Sequence, residues 1–423
     1  MKTTKKMANE GSRDQEPRGP LAGIRVLDMT RIMAGPYSTQ TLADLGAEVI
    51  KIERPNVGDD TRYWGPPFLN DRNGKPTSES AYNLSVNRGK KSVTVDISTT
   101  QGRGIILSLA KLSDIFIENY KTGQLAKFGL GYDDLKAINP KLIYCSITGF
   151  GNTGPYKDRR GYDFALQAMG GLMSVTGERD GHPGAGPEKV GVAVADISAG
   201  MYAAIAVLSA VINRNASGVG QHIDISLLDS QITFMANQNM NYFVTGVAPK
   251  RLGNAHPNIC PYQCFPTLDG YIVLTVGNDS QFVRFCSVVG REEWSSDARF
   301  SSNPARVTNR DILIPMIAEL FLSMSTKEWL ALLDKADVPC GPVNTIKDVF
   351  ADEHVQARGM QVELKHPLSG TVPSVASPMN FSRTPIKYRD PAPLLGQHTD
   401  DVLTNLLRLS EEQIKSLKES SII

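Results

Sequence analysis

The chain has 423 residues, of which 41% are hydrophobic and 21% charged, an ordinary globular composition. That length exceeds a single compact core and implies two domains, or one large α/β domain with an insertion. A formal net charge of +1 gives no reason to expect nucleic acid as a partner, so an anionic ligand must be held by local charge. No uninterrupted apolar run reaches the roughly 18–20 residues of a membrane span, and no membrane partner is expected. The cysteines (Cys145, Cys260, Cys264, Cys286, Cys340) are scattered and odd in number, which points to a reducing compartment without a disulfide framework. Cys260 and Cys264 lack a second Cys/His pair, and no histidine pair has metal-ligand spacing, so no metal is expected.

Residues 1–19 mix basic and acidic side chains and contain no signal-peptide core, so they read as a disordered tail. Gly23–Thr30 is a short strand-forming run, Arg31–Pro36 (RIMAGP) a turn, Tyr37–Leu45 a helix ended by Gly46, and Glu48–Ile52 a second strand. This is the strand–helix–strand unit of a parallel sheet. The pattern recurs in a strand at 91–97, a helix at 100–112, a strand at 114–118, a helix at 130–138 and a strand at 141–148. After Phe150 come a Gly/Pro/basic loop (152–160) and a helix at 162–174. A Gly/Pro-rich loop (177–191), a helix at 197–212, a strand at 221–226 and one long helix at 227–242 follow. Asp269-Gly270 marks a hairpin. Helices are expected at 281–289, 310–324 and 326–336, and the chain ends in an amphipathic helix.

The first strand–helix turn is the natural ligand site of such a sheet. RIMAGP is not G-x-G-x-x-G, so a nicotinamide site loses its main support. Arg31 and Arg54 end two strand units, either as phosphate contacts or as solvated surface charges. Asp196 separates two apolar segments. It reads as a helix N-cap, as a working carboxylate, or as both, with helix N–H groups keeping it ionised. Caps and turns account for Asp28, Asp96 and Asp163. Ser226 and Ser230 lack a G-x-S-x-G setting, which argues against a serine hydrolase.

From about Gly19 to its end, the sequence resembles the class III CoA-transferases of the formyl-CoA and carnitine type. The carriers are DMTRIMAGPYSTQTLADLGAEVIKIERPNVGDDTR (28–62), NRGKKSVTVDI (87–97), IENYKTGQLAKFGLGYDDL (117–135), ITGFGNTGP (147–155), GYDFALQAMGGLMSVTG (161–177), VADISAGMYAA (194–204) and GPVNTIKDVFAD (341–352). The resemblance implies Asp196 as the nucleophile. It implies CoA contacts at Arg31, Ile32, Met33, Ala34, Arg54, Val95, Asp96, Ile97, Ser98, Asn119, Tyr120, Lys127, Phe128, Thr148 and Phe150. Met33 and Thr148 depart from the glutamine and lysine of the formyl-CoA enzyme. Trp64 and Tyr82 match aromatic residues near its acyl site. Its glycine-rich lid is not carried over, since the matching stretch 251–262 has only Gly253.

The resemblance also implies an α/β fold: a Rossmann-like parallel-sheet large domain with an inserted smaller α+β domain, in an interlocked homodimer. The expected divisions are a large domain at 20–227 and 352–423, linkers at 228–252 and 326–351, and a small domain at 253–325. The branch that handles dicarboxylates is the nearest in pattern. It implies CoA transfer from succinyl-CoA or 3-hydroxymethylglutaryl-CoA to an acid such as glutarate, in the mitochondrial matrix or, alternatively, the cytoplasm. CoA thioesters are then substrates, and no permanently bound cofactor is expected. A remote carboxylate wants a cation, and Arg62, Arg88 and Arg251 are the candidates. Two rivals stand beside this reading. A racemase of the same fold pairs its aspartate with a histidine, where this chain has Gly161-Tyr162-Asp163, and tyrosine is a poor base at neutral pH. A non-catalytic acyl-CoA-binding protein would not need Asp196.

Overall fold

The computed structural model describes Gly19–Ile423, so the tail expected at residues 1–19 lies, but for Gly19, outside the described residues. The chain divides into two compact units. The first holds the described residues through Gly170, then Val192–Phe234 and Ala357–Ile423; the second holds Gly171–Gly191 and Met235–Gln356.

The first unit is built on six strands, β1 (Arg25–Met29), β2 (Glu48–Glu53), β3 (Lys90–Thr94), β4 (Ile115–Glu118), β5 (Ile143–Thr148) and β6 (His222–Ser226). They form one parallel sheet in the order β3-β2-β1-β4-β5-β6. The inner strands are rich in apolar residues because both faces are covered, whereas the edge strands β3 (KKSVT) and β6 (HIDIS) are more polar. Leu27, Ile50, Phe116 and Tyr144 point into one core, with α2 (Thr100–Lys111) and α3 (Tyr132–Ile138). Their neighbours Val26, Val49, Ile115, Ile117, Ile143 and Cys145 point into the other, with α1 (Ala34–Asp44) and α5 (Val194–Ser217), as the two-residue period of a strand requires. Between α3 and α5 lies α4 (Asp163–Met169). Strand order reverses between β1 and β4, which opens a crevice at their carboxyl ends.

Two expectations change here. The sequence reading found no span-length apolar segment, yet α5 has 24 residues and is long and apolar enough to cross a membrane. Asp196 in its first turn and Asn213, Arg214 and Asn215 near its end bound the apolar stretch. Ala195, Ala199, Ala203 and Val207 are buried in the core beside α1, so α5 works as a core helix of this unit. The single helix expected at 227–242 is two, α6 (Leu227–Phe234) and α7 (Ala236–Thr245), with Ala236 at φ 39°. No glycine or proline marks that break in the sequence.

The second unit contains a three-stranded antiparallel sheet, with Tyr271–Thr275 between Tyr262–Pro266 and Cys340–Pro342. The hairpin turns at Asp269-Gly270, as expected. Phe265, Phe282, Phe285, Phe321 and Trp329 fill its core. The stretch 326–351, expected as a linker, holds the helix Thr326–Lys335, started by a Ser325/Glu328 capping box. Trp329 and Leu333 of that helix are buried in the same core, so the segment packs as part of the unit. The loop 177–191 also belongs to this unit rather than to the expected 20–227 block.

Candidate active site

A cavity of about 470 Å³ lies at the switch point of the parallel sheet. Arg31, Ile32, Met33 and Ala34 line it from the β1–α1 turn. Asn119, Tyr120 and Lys121 line it from the end of β4, and Thr148 and Gly149 from the end of β5. Lys157, Arg159, Arg160 and Tyr162 come from the loop before α4, and Asp196 from α5. All of these residues belong to the first unit.

Asp196 is not the cap of its helix. It is the third residue of α5, and Ala193 precedes the first turn without a side-chain cap. Asp163 takes the capping role across from α4. Its Oδ1 accepts the Ala195 amide at 2.8 Å and the Asp196 amide at 3.4 Å, and its Oδ2 accepts Gln167 Nε2 at 2.6 Å. The helix amides expected to keep Asp196 ionised are thus directed at its neighbour. Burial, and then the negative charge of Asp163, push the Asp196 carboxyl up to about 7. A carboxylate with that affinity for protons is a better nucleophile than an ordinary one.

Gly200 explains how Asp196 comes to the β1–α1 turn. One helical turn separates the two residues, so they share a face of α5. A Cβ at Gly200 would stand 2.5 Å from the Ala34 carbonyl oxygen and 3.3 Å from the Tyr37 ring. Only glycine permits that approach of α5 to the start of α1.

The structure brings together Arg31, Ile32, Met33, Ala34, Asn119, Tyr120, Thr148 and Asp196 among the expected residues. Arg54 stands at the rim, 3.3 Å from Asp60, which also binds Arg31 at 3.2 Å. Tyr82 is close enough to Asp196 for its charge, after burial, to push the phenol up to about 12, and Trp64 meets Tyr82 edge-on. Phe150 packs edge-on to Tyr156, and Arg159 lies 4.4 Å over the Tyr156 ring. Val95 is buried in the sheet core, so its side chain faces no ligand. Asp96, Ile97 and Ser98 form the turn into α2, where Asp96 accepts the Ser98 amide. Lys127 is exposed and Phe128 half-buried, in a short 3-10 turn.

All three expected carboxylate receptors already have carboxylate partners. Arg62 is buried and grips Glu53 through Nε and Nη2, each at 2.8 Å, with Glu79 at 3.5 Å. Arg88 is buried and grips Asp44 at 2.9 and 2.6 Å. A buried guanidinium requires such a fixed counter-charge, and neither arginine lines the cavity. Arg251 lies in the second unit, where it binds Asp180 and the Glu178 carbonyl.

The sequence reading gave Asp163 only a cap or turn role, and it passed over Asp60, Lys121, Lys157, Arg159 and Arg160. The last three sit in a loop noted only as basic. Their position after a parallel strand was the available signal, because loops at strand carboxyl ends carry ligand contacts.

Residues 21–399 match the model of CoA-transferase family III, and the chain belongs to that family. It is 48% identical over 387 residues to a succinate–glutarate CoA-transferase of Agrobacterium fabrum, covering 92% of this chain and 96% of the relative. It is 42% identical over 404 residues to the human succinyl-CoA:glutarate CoA-transferase, covering 96% of this chain and 90% of that one. Among solved structures, a CAIB/BAIF family protein from Brucella suis superposes with a TM-score of 0.81 at 47% identity, over 92% of this chain and 100% of that one.

Proposed function

We propose that this CoA-transferase exchanges CoA between succinyl-CoA and glutarate, with Asp196 as the acyl carrier. The observation that carries the reading is a buried, proton-hungry carboxylate in a cavity rimmed by Arg31, Lys121, Lys157, Arg159 and Arg160. That rim suits the phosphates of CoA in a chain whose net charge is only +1. Relatives named for succinate and glutarate support the acid pair.

Asp196 Oδ attacks the thioester carbonyl of succinyl-CoA, and the C–S bond breaks to give a succinyl–aspartyl anhydride and CoA thiolate. The thiolate attacks the aspartyl carbonyl, releasing succinate and leaving an aspartyl-CoA thioester. Glutarate attacks that thioester to form a glutaryl–aspartyl anhydride. The returning thiolate then forms glutaryl-CoA and frees Asp196. Positioning supplies much of the rate, because the reacting groups are held together through each exchange. Tyr162 stands in the cavity where a racemase would need a histidine, which favours transfer over proton exchange.

Hydroxylamine added during turnover, followed by peptide mapping, is expected to mark Asp196 alone, and Asp196→Ala is expected to make no glutaryl-CoA. A label elsewhere, or normal turnover by the variant, would refute the reading. A homodimer belongs to the same proposal. Met201, Tyr202, Ile205 and Ile212 of α5, and Phe243, Val244 and Val247 in the second unit, are exposed apolar side chains that a partner chain would cover. Sedimentation as a monomer at micromolar concentration would count against it. The reaction needs acyl-CoA, and the described cysteines are all free thiols. We therefore place it in a reducing compartment, the mitochondrial matrix in an organism that has one.

A further inference from the structure

We infer that Lys51 and Asp59 are positioning residues for the transfer: they hold the Arg31–Met33 turn in a disfavoured backbone form that sets the cavity wall against Asp196. The inference rests on Asp196 as the acyl carrier. Ile32 has φ 72°. That is the left-handed region, which a β-branched residue adopts only under constraint. The constraint is visible. Asp59 accepts the Ile32 amide at 3.2 Å on each carboxylate oxygen. Lys51 Nζ binds Asp59 at 2.9 Å and the Thr30 carbonyl at 2.8 Å. From the other side, Asn119 accepts the Arg31 amide at 2.8 Å and donates to the Arg31 carbonyl at 2.7 Å. Consecutive backbone groups from Thr30 to Ile32 are thus clamped by side chains from β2, the loop after it and the end of β4.

A mere connection between β1 and α1 would not need this. Glycine at position 32 would take the same backbone form freely. Instead the fold keeps an ion pair whose side chains are 1% and 0% exposed, and burying both charges is costly. The next two residues, Met33 and Ala34, line the cavity with Asp196, and Gly200 brings α5 against Ala34. What the clamp fixes is therefore the wall on which the thioester carbonyl must rest.

The test is succinyl-CoA to glutarate transfer by the full chain. Asp59→Asn is expected to lower kcat about 10–100-fold, the order of loss that a displacement of about 1 Å produces, with the KM for glutarate changed less than about twofold. Adding Ile32→Gly is expected to restore most of kcat without restoring the melting temperature. A merely structural ion pair would show no such split. Lys51→Met with Asp59→Asn leaves no unpaired buried charge, and it carries the same test if the single variant folds poorly. Native kcat in that neutral pair would overturn the inference. So would the failure of Ile32→Gly to rescue, or a loss in Ile32→Gly alone as large as in Asp59→Asn. Failure of the acyl-carrier reading is separate, because it would appear as an unlabelled Asp196 in the parent protein.

Discussion

The first unit buries acids in two regions that treat them in opposite ways. Beneath the cavity, Asp28 and Asp59 sit among Lys51 and Lys90, with Asp59–Lys51 at 2.9 Å and Asp28–Lys90 at 3.2 Å. Burial opposes ionisation of Asp59, but Lys51 and the Thr61 and Ile32 amides outweigh it and hold the carboxyl well below the usual range. In the cavity itself, burial of Asp196 is reinforced by Asp163 rather than offset. The paired acids build a rigid frame. Asp196 gains the proton affinity that the proposed acyl carrier needs, at some cost to stability. A strongly raised carboxylate beside a second acid in a crevice is a better indicator of chemistry than a buried acid as such.

The comparison breaks first at Asp196. Asp196→Asn is expected to reduce glutaryl-CoA formation by about 10⁴-fold or more, followed by chromatography of CoA esters. The same variant should melt slightly higher than the parent at pH 8 and not at pH 4. Burial and Asp163 push the folded carboxyl up to about 7 from the ordinary carboxylate range of the unfolded chain, so stability is lost as pH rises through that window. An equal or lower melting temperature at pH 8 would show that Asp196 carries no burial penalty.

Next in size is the rim. Lys157→Ala with Arg159→Ala is expected to raise the KM for succinyl-CoA by about tenfold and to flatten its salt dependence, with kcat little changed. An unchanged KM would remove these cations from the CoA contacts. The smallest effect sharpens the pairing of the two acids. Asp163→Asn keeps an oxygen for the Ala195 amide but removes the charge that helps to raise Asp196. The acidic limb of kcat/KM should then move below pH 7, so that the ratio of rates at pH 6 and pH 8 rises several-fold. A limb that stays in place would assign the raised carboxyl to burial alone.

Much of the fold was legible in local pattern. The parallel strands and the helices between them through Thr148 follow from apolar periodicity, and the hairpin from Asp269-Gly270, whereas the strands Phe68–Asn70 and Pro76–Ser80 and the helix Ala81–Val86 were not read. The turn after β1 was marked as the ligand site because the position depends on parallel order, which alternating strands and helices already imply. The break at Met235–Ala236 and the packing of Thr326–Lys335 into the second core were not legible, because both depend on which distant residues a helix face meets.

By itself the sequence determined the parallel αβ order, the family blocks and the singular place of Asp196 between two apolar segments. Only tertiary structure decided which charges are free. Arg62 and Arg88 look available in the sequence, yet Glu53 and Asp44 hold them in the core. Asp163 reads as a simple cap, yet it caps the neighbouring helix and raises Asp196. The reason is physical. A side chain's charge state and availability are set by what lies within a few ångströms of it in space, and chain spacing does not record that distance.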